Sequence, residues 1–120
     1  MSIITLILAG IVALEHLYIM YLETFATHSD TTSRVFNMRK EELQCDSVTN
    51  LFKNQGIYNG LIAVLLLYGI FTNSQLLVTV FVLNVFFAAV YGAVTANKKI
   101  IFTQGEPAIL TLFSLIISLF

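Results

Sequence analysis

The chain of 120 residues is long enough for one domain and too short for two separate hydrophobic cores. It is 58% hydrophobic and 11% charged, whereas about a quarter of the residues in a soluble domain are charged, so the composition favours a membrane protein. The net charge of −1 provides no clustered basic face, which argues against nucleic-acid binding. We therefore interpret residues 1–120 as a single transmembrane domain in a lipid bilayer.

Four apolar segments follow one another along the chain, and each is a candidate span. The first, Ile3 to Leu22, has about 20 residues, which at 1.5 Å per residue cross a hydrocarbon core of roughly 30 Å. The second runs from Ile57 to Phe71, and the third from Leu76 to Ala96. The fourth, Pro107 to Phe120, is short for a span, although local bilayer thinning accommodates such a mismatch. This pattern predicts an all-α, integral membrane four-helix bundle.

The lysines and arginines predict the orientation of this bundle. Four of them lie between the first and second spans, and two lie between the third and fourth: Arg34, Arg39, Lys40, Lys53, Lys98 and Lys99. The short hairpin of residues 72–75 carries no charge, so the second and third spans are antiparallel neighbours. Because positive loops remain in the cytoplasm, we expect both termini outside and a long cytoplasmic connection between helices 1 and 2. The predicted location is the inner or plasma membrane, with several passes.

The long connection carries charges of both signs, which is typical of a solvated surface. We expect Thr32 or Ser33 to cap a short helix, and Asp46 or Ser47 to cap the helix that becomes the second span. Cys45 is the only cysteine, so an internal disulfide is excluded and a free thiol on the reducing side is expected.

Ionisable side chains interrupt the first span. Glu15 and His16 lie near its middle, and Glu23 lies at its cytoplasmic end. A charged residue at the centre of a span costs about 2.5–3.5 kcal/mol on insertion scales, so such groups usually face the bundle interior or a cavity. At 100° per residue, His16 and Glu23 lie within about 20° of each other, with Glu15 on the adjoining flank. We predict that these three residues are catalytic acid–base groups; the alternative is a purely structural hydrogen-bond network.

Amide and phenol side chains form a second polar set at the cytoplasmic ends of the other spans. We predict that they bind the polar part of a substrate in a funnel opening to the cytoplasm: Asn54, Gln55, Tyr58, Asn59 and Gln104. Gly56 and Gly60 stand four residues apart, the spacing that allows another helix backbone to approach closely.

Small residues recur at every fourth position in the third span. Ala88, Gly92 and Ala96 form this stripe, which predicts a surface for helix packing. One predicted partner for this surface is the same stripe in a second copy of the chain, which would form a homodimer.

Three segments resemble the signature segments of a family of small bacterial four-span membrane proteins, domain-of-unknown-function family 1304. They are Glu15 to Glu23, Asn54 to Gly60 and Gln104 to Ala108, and the Asn-Gln-Gly-x-Tyr-Asn-Gly match is the most specific. The resemblance covers essentially the whole chain. It implies four spans and no particular substrate or reaction.

Three functions remain open on these residues. The first is a membrane-embedded enzyme or binding protein for a lipid-like or hydrophobic molecule, in which burial brings the pKa values of an acid and a base towards neutrality. The second is a proton- or ion-coupled carrier or channel component, since such paths use intramembrane Glu and His. The third is metal binding. Adjacent helical residues point about 100° apart, so Glu15 and His16 are poorly placed to share an ion, and we expect neither a metal nor a cofactor.

Overall fold

The computed structural model describes residues 1–95 and 105–118, and this part of the chain consists of helices and the turns between them. The first helix, α1 (Ile3–Met20), continues into a π-helical turn, Tyr21–Phe25. The remaining helices are α2 (Asp30–Val35), α3 (Lys40–Gln44), α4 (Asp46–Phe71), α5 (Gln75–Thr95) and α6 (Glu106–Ile117). The all-α prediction is therefore confirmed for the described residues.

Within the part of the chain that the structure describes, three helical segments are long and apolar enough to cross a membrane: Ile3–Phe25, Asp46–Phe71 and Gln75–Thr95. They correspond to the first three predicted spans. The fourth predicted span contains α6, which has 12 residues, short of the roughly 20 that a straight span needs. Some residues with predicted roles lie outside the described part of the chain: Ala96, Lys98, Lys99 and Gln104. The last two residues of the fourth predicted span also lie outside it.

The connection between α1 and α4 shows where cap prediction went wrong. Ser29, not Thr32 or Ser33, caps α2: its backbone is extended, and its Oγ accepts a hydrogen bond from the Thr32 N–H at 3.1 Å. Thr32 lies inside the helix with its side chain fully buried. The long helix α4 begins at Asp46, and the Cys45 carbonyl ahead of it accepts from the Thr49 N–H at 2.9 Å.

The chain divides into two compact units. The large unit contains residues 1–15 and the residues from 63 onward, and the small unit contains residues 16–62. Each is described separately below.

In the large unit, α6 packs against α5 through apolar side chains, with Val82, Val85 and Leu115 buried. A groove of about 160 Å³ is lined by Phe86 of α5 and by Ile109, Leu112, Phe113 and Ile116 of α6. On another side, the Thr5 hydroxyl of α1 lies 2.7 Å from that of Ser114, and the Ser114 Oγ donates to the Thr111 carbonyl at 2.7 Å. Hydroxyl groups therefore tie α6 to the start of α1.

In the small unit, a few buried side chains fix the connecting segment. Leu22 and Leu43 are almost completely buried, and the rings of Phe36 and Phe52 pack edge to face with centroids 5.3 Å apart. The buried Thr32 hydroxyl lies 2.7 Å from the Ala26 carbonyl and 3.1 Å from the Leu22 carbonyl. These contacts hold α2 against the end of the first span.

Candidate functional site

A buried carboxyl group lies in the small unit. Glu23, in the π-helical turn, is 5% exposed, and its Oε1 accepts a hydrogen bond from Asn59 Nδ2 at 2.6 Å. The two residues are 36 positions apart in the sequence, so this bond joins the end of the first span to α4. It brings together one predicted catalytic residue and one predicted substrate-binding residue.

Two glycines explain how the helices come close enough for this bond. A Cβ on Gly56 would overlap the Thr24 hydroxyl, and it would lie 3.0 Å from the Thr24 backbone N and 3.1 Å from Glu23 Cβ. A Cβ on Gly60 would meet the flexible Met20 side chain. The predicted close approach of another helix is thus confirmed at Gly56, where backbone faces backbone.

The π-helical turn changes the hydrogen bonding around Glu23. The Ala26 N–H donates to the Tyr21 carbonyl at 2.9 Å, five residues back, and the Thr27 Oγ donates to the Glu23 carbonyl at 2.6 Å. Single π-helical turns occur frequently at functional sites, because the extra residue turns side chains out of the regular helical pattern. The π-helical turn is therefore a second indication, separate from burial, that Glu23 lies at a functional site.

The other two predicted catalytic residues are placed differently. His16 belongs to the small unit and is 4% exposed; seven residues separate it from Glu23, about 10 Å along a helix. Glu15 belongs to the large unit, where its Oε1 is buried and has no hydrogen-bond partner among the described residues. A buried polar atom without a partner is unfavourable, so it calls for a functional or structural explanation.

The remaining predicted binding residues do not converge on Glu23. Asn54, Gln55 and Tyr58 are exposed, and the Asn54 amide donates to the Asn50 carbonyl at 3.0 Å within its own helix. Gln104 lies outside the described residues.

The predicted dimer stripe is described only in part. Ala88 is exposed on α5, Gly92 is partly exposed, and Ala96 lies outside the described residues. The homodimer stays a prediction.

Sequence reasoning missed the threonine hydroxyls that organise this region. Thr27 and Thr32 are both buried, and each donates to a carbonyl of the first span or of the residue just after it. Thr32 was predicted only as a possible helix cap, and Thr27 was not singled out, because threonine is common in a polar connection. Burial of a hydroxyl depends on tertiary packing, which the sequence does not display.

The charged groups of the connection pair with one another at the surface. Lys40 forms an ion pair with Asp30, and its hydrogen bond and charge lower the pKa of that carboxyl. The Arg39 backbone N–H and guanidinium both donate to Glu42 Oε1 at 3.1 Å, which lowers the pKa of Glu42. Both pairs are exposed, so each contributes little to stability. The Lys40–Asp30 pair joins α3 to α2, whereas the Arg39–Glu42 pair lies within the first turn of α3.

The structure also bears on metal binding. Within residues 1–95 and 105–118, no three His, Cys, Asp or Glu side chains converge in a way that could hold a metal ion. The buried Glu23 carboxyl itself can accept a hydrogen bond or a proton from a polar group, or return a proton to it.

Comparison with known proteins gives a family and no activity. A family model described as "Protein of unknown function (DUF1304)" matches residues 10–116. An "Uncharacterized protein YpaA" from Lactococcus lactis subsp. lactis (strain IL1403) is 60% identical over 116 residues, covering 95% of this chain and 98% of that protein. No solved structure matches the chain. The chain belongs to the DUF1304 family of proteins of unknown function.

Proposed function

We propose that the chain is a four-span integral membrane protein, with both termini outside, that binds the polar group of a lipid-like or hydrophobic molecule at Glu23 and Asn59. The site opens towards the cytoplasmic side. The observation that carries this proposal is the burial of the Glu23 carboxyl, which accepts a hydrogen bond from the Asn59 amide at 2.6 Å.

A purely structural role explains the buried carboxyl less well. Hydrogen bonds between membrane helices average only about 0.6 kcal/mol, which is small beside the cost of withdrawing a carboxyl group from water. An amide or hydroxyl pair would hold the helices equally well without that cost. A carboxyl adds the ability to recognise a hydroxyl or amino group, or to exchange a proton with it. In an enzyme, Glu23 is the proposed acid–base group, and His16 is a second candidate on the same helix.

Co-purification of a bound molecule tests this proposal. The protein is extracted from membranes in a mild detergent, and bound small molecules are measured by native mass spectrometry. The wild type is expected to retain a lipid-like molecule, and Glu23→Ala to retain it about two- to tenfold less, because a hydrogen bond contributes about 0.5–1.5 kcal/mol. Glu41→Gln, at an exposed carboxyl of α3, is the matched control and should retain it normally.

Two results would contradict the proposal. One is equal retention by Glu23→Ala and the wild type, and the other is a wild-type protein that carries no such molecule. Helical content measured on the same samples separates loss of binding from loss of structure.

One observation favours a second candidate function, a proton- or ion-coupled carrier or channel component. Glu15 Oε1 is buried and has no hydrogen-bond partner among the described residues, as expected of a carboxyl that takes up and releases a proton or cation. Reconstituted vesicles should then show flux that Glu15→Gln abolishes and Glu41→Gln preserves. Vesicles in which Glu15→Gln matches the wild type exclude this role for Glu15.

A further inference from the structure

Three exposed aromatic side chains surround the end of the first span in the small unit. Tyr21 is 53% exposed, Phe25 70% and Tyr58 64%. We call these three residues the aromatic belt. Large exposed aromatic groups are unfavourable in water, so their exposure at the end of the first span and on the neighbouring α4 indicates a partner with both apolar and polar character.

The contacts between α1 and α4 place the two tyrosines at one height. Met20 lies opposite Gly60, and Thr24 lies opposite Gly56. The two helices therefore run antiparallel with a fixed register, and Tyr21 and Tyr58 fall within about one residue of the same level, at 1.5 Å per residue. The hydrogen bond between Glu23 and Asn59 crosses at this level.

The exposed surface of α4 becomes apolar beyond this height, whereas before it exposed polar side chains are interspersed with the exposed apolar residues Leu51 and Ile57. Leu61, one turn beyond Tyr58, is an exposed apolar side chain. In the opposite direction, Asn54 and Gln55 are exposed, followed by Lys53, whose amino group lies 3.4 Å from the Thr24 carbonyl. Lys53 is five residues from Tyr58, about 7.5 Å along the helix.

We infer that the aromatic belt and Lys53 bind the headgroup region of the cytoplasmic leaflet, with the tyrosine rings at the level of the lipid ester groups and Lys53 at the level of anionic phosphates. Tyrosine concentrates at that boundary because its ring is apolar and its hydroxyl is polar, and lysine extends its amino group to the phosphates. The positive charge of Lys53 complements the negative charge of that leaflet.

This inference rests on the membrane part of the proposed function and refines it. It places the Glu23 carboxyl at the boundary of the bilayer, not at its centre. A molecule bound there would keep its polar group at headgroup level and its apolar part among the acyl chains.

The chain contains no tryptophan, so a single introduced tryptophan reports its own depth. Tyr58→Trp, Leu61→Trp and Leu51→Trp are each reconstituted in phosphatidylcholine and phosphatidylglycerol vesicles with bromine near either the carbonyl end or the methyl end of the acyl chains. Tyr58→Trp should lose more fluorescence to carbonyl-end bromine than to methyl-end bromine. Leu61→Trp should shift towards methyl-end quenching, and Leu51→Trp should respond to neither.

The outcomes separate this inference from the proposed function. Strongest methyl-end quenching at Tyr58→Trp, or quenching of Leu51→Trp by acyl bromine, overturns the assigned height while leaving the chain in the membrane. Absence of quenching at all three positions overturns the membrane proposal itself. Phe25→Trp is a second reporter of the belt if Tyr58→Trp has reduced helical content.

The charge of Lys53 is tested separately. With Tyr58→Trp as reporter, brominated phosphatidylglycerol should quench more than brominated phosphatidylcholine, and Lys53→Gln should remove this preference. Lys40→Gln, at a lysine already paired with Asp30, should leave it unchanged. Equal quenching by the two lipids before substitution overturns the assignment of Lys53 to anionic phosphates.

Discussion

Asn59 is the side chain on which the burial of Glu23 depends, since its amide donates to the carboxyl at 2.6 Å. Asn59→Ala should lower the free energy of unfolding in detergent by about 1 kcal/mol, within the range for hydrogen bonds between membrane helices. In a Glu23→Ala background the same substitution should cost less, because the acceptor is absent. Unfolding titrations with a denaturing detergent measure all four proteins of this cycle.

The control for this cycle is Asn54→Ala. Asn54 is exposed on the same helix and bonds only within it, so its loss should change stability little. A cycle with no coupling between Glu23 and Asn59, or equal losses at Asn54 and Asn59, would falsify the importance of the hydrogen bond.

The polar character of Glu23 and Asn59 was predictable from the sequence, because a carboxyl or amide group within an apolar segment is conspicuous. Their pairing was not predictable. The pairing depends on how far one helix is displaced along the other and on a π-helical turn that shifts side chains by one residue. Neither feature can be inferred from the spacing of apolar residues. Gln55 and Tyr58 share the helical spacing of Asn59, yet they are exposed.

At the scale of the elements, three glycines make different contributions to helix packing. Gly56→Ala should destabilise the protein by about 1–3 kcal/mol, because the new methyl group meets the Thr24 backbone and the two helices must separate. Gly60→Ala should cost less, since the Met20 side chain can move aside. Gly10→Ala meets nothing within 4 Å and should stabilise α1 by about 0.5–1 kcal/mol. The same unfolding titration ranks the three variants, and a Gly56→Ala protein as stable as the wild type contradicts the assigned packing.

The docking of α2 depends on one hydroxyl group. Thr32→Val keeps the shape of the side chain but removes the hydrogen bonds to the Leu22 and Ala26 carbonyls, and should cost about 1–3 kcal/mol. Thr31→Val, at the neighbouring and less buried threonine, is the control and should cost little. Hydrogen exchange across residues 26–36 should increase only in Thr32→Val. Equal exchange in the two variants rules out this role for Thr32.

The surface ion pairs predict a pH dependence for the connection. The lowered pKa values of Asp30 and Glu42 mean that their stabilising effect is complete above their ordinary values, near pH 4, and is lost as the pH falls through the lowered values. Protection of the α2 and α3 amides, corrected for intrinsic exchange, should therefore be constant from pH 5 to 8 by this linkage and decrease below about pH 4. Asp30→Asn should reduce that decrease, and an undiminished decrease contradicts the assigned pair.

The long apolar helices could be predicted from the sequence because length and hydropathy alone determine them. The bounds of α5 agree with the predicted third span to within one residue at each end. The apolar run of the second span was predicted from residue 57, and the start of its helix at Asp46 or Ser47. The helix α4 begins at Asp46, because polar residues 46–53 continue it without adding to the apolar run.

For the whole molecule, the proposed topology is based on the distribution of lysine and arginine. The native thiol of Cys45 can be used to test it. Cys45 is the only cysteine and it is exposed, so no background thiol needs to be removed. It lies in the connection that carries Arg39, Lys40 and Lys53, which the positive-inside rule assigns to the cytoplasm.

The most direct test of the account is therefore labelling of Cys45 with a membrane-impermeant maleimide in cells that contain the protein. A Cys45→Ser protein carrying Thr72→Cys, in the opposite connection, is the matched control. The account predicts that Cys45 in the membrane fraction reacts only after the cells are permeabilised, whereas the control reacts in intact cells. Labelling of Cys45 in intact cells, or recovery of the chain in the soluble fraction, would contradict it.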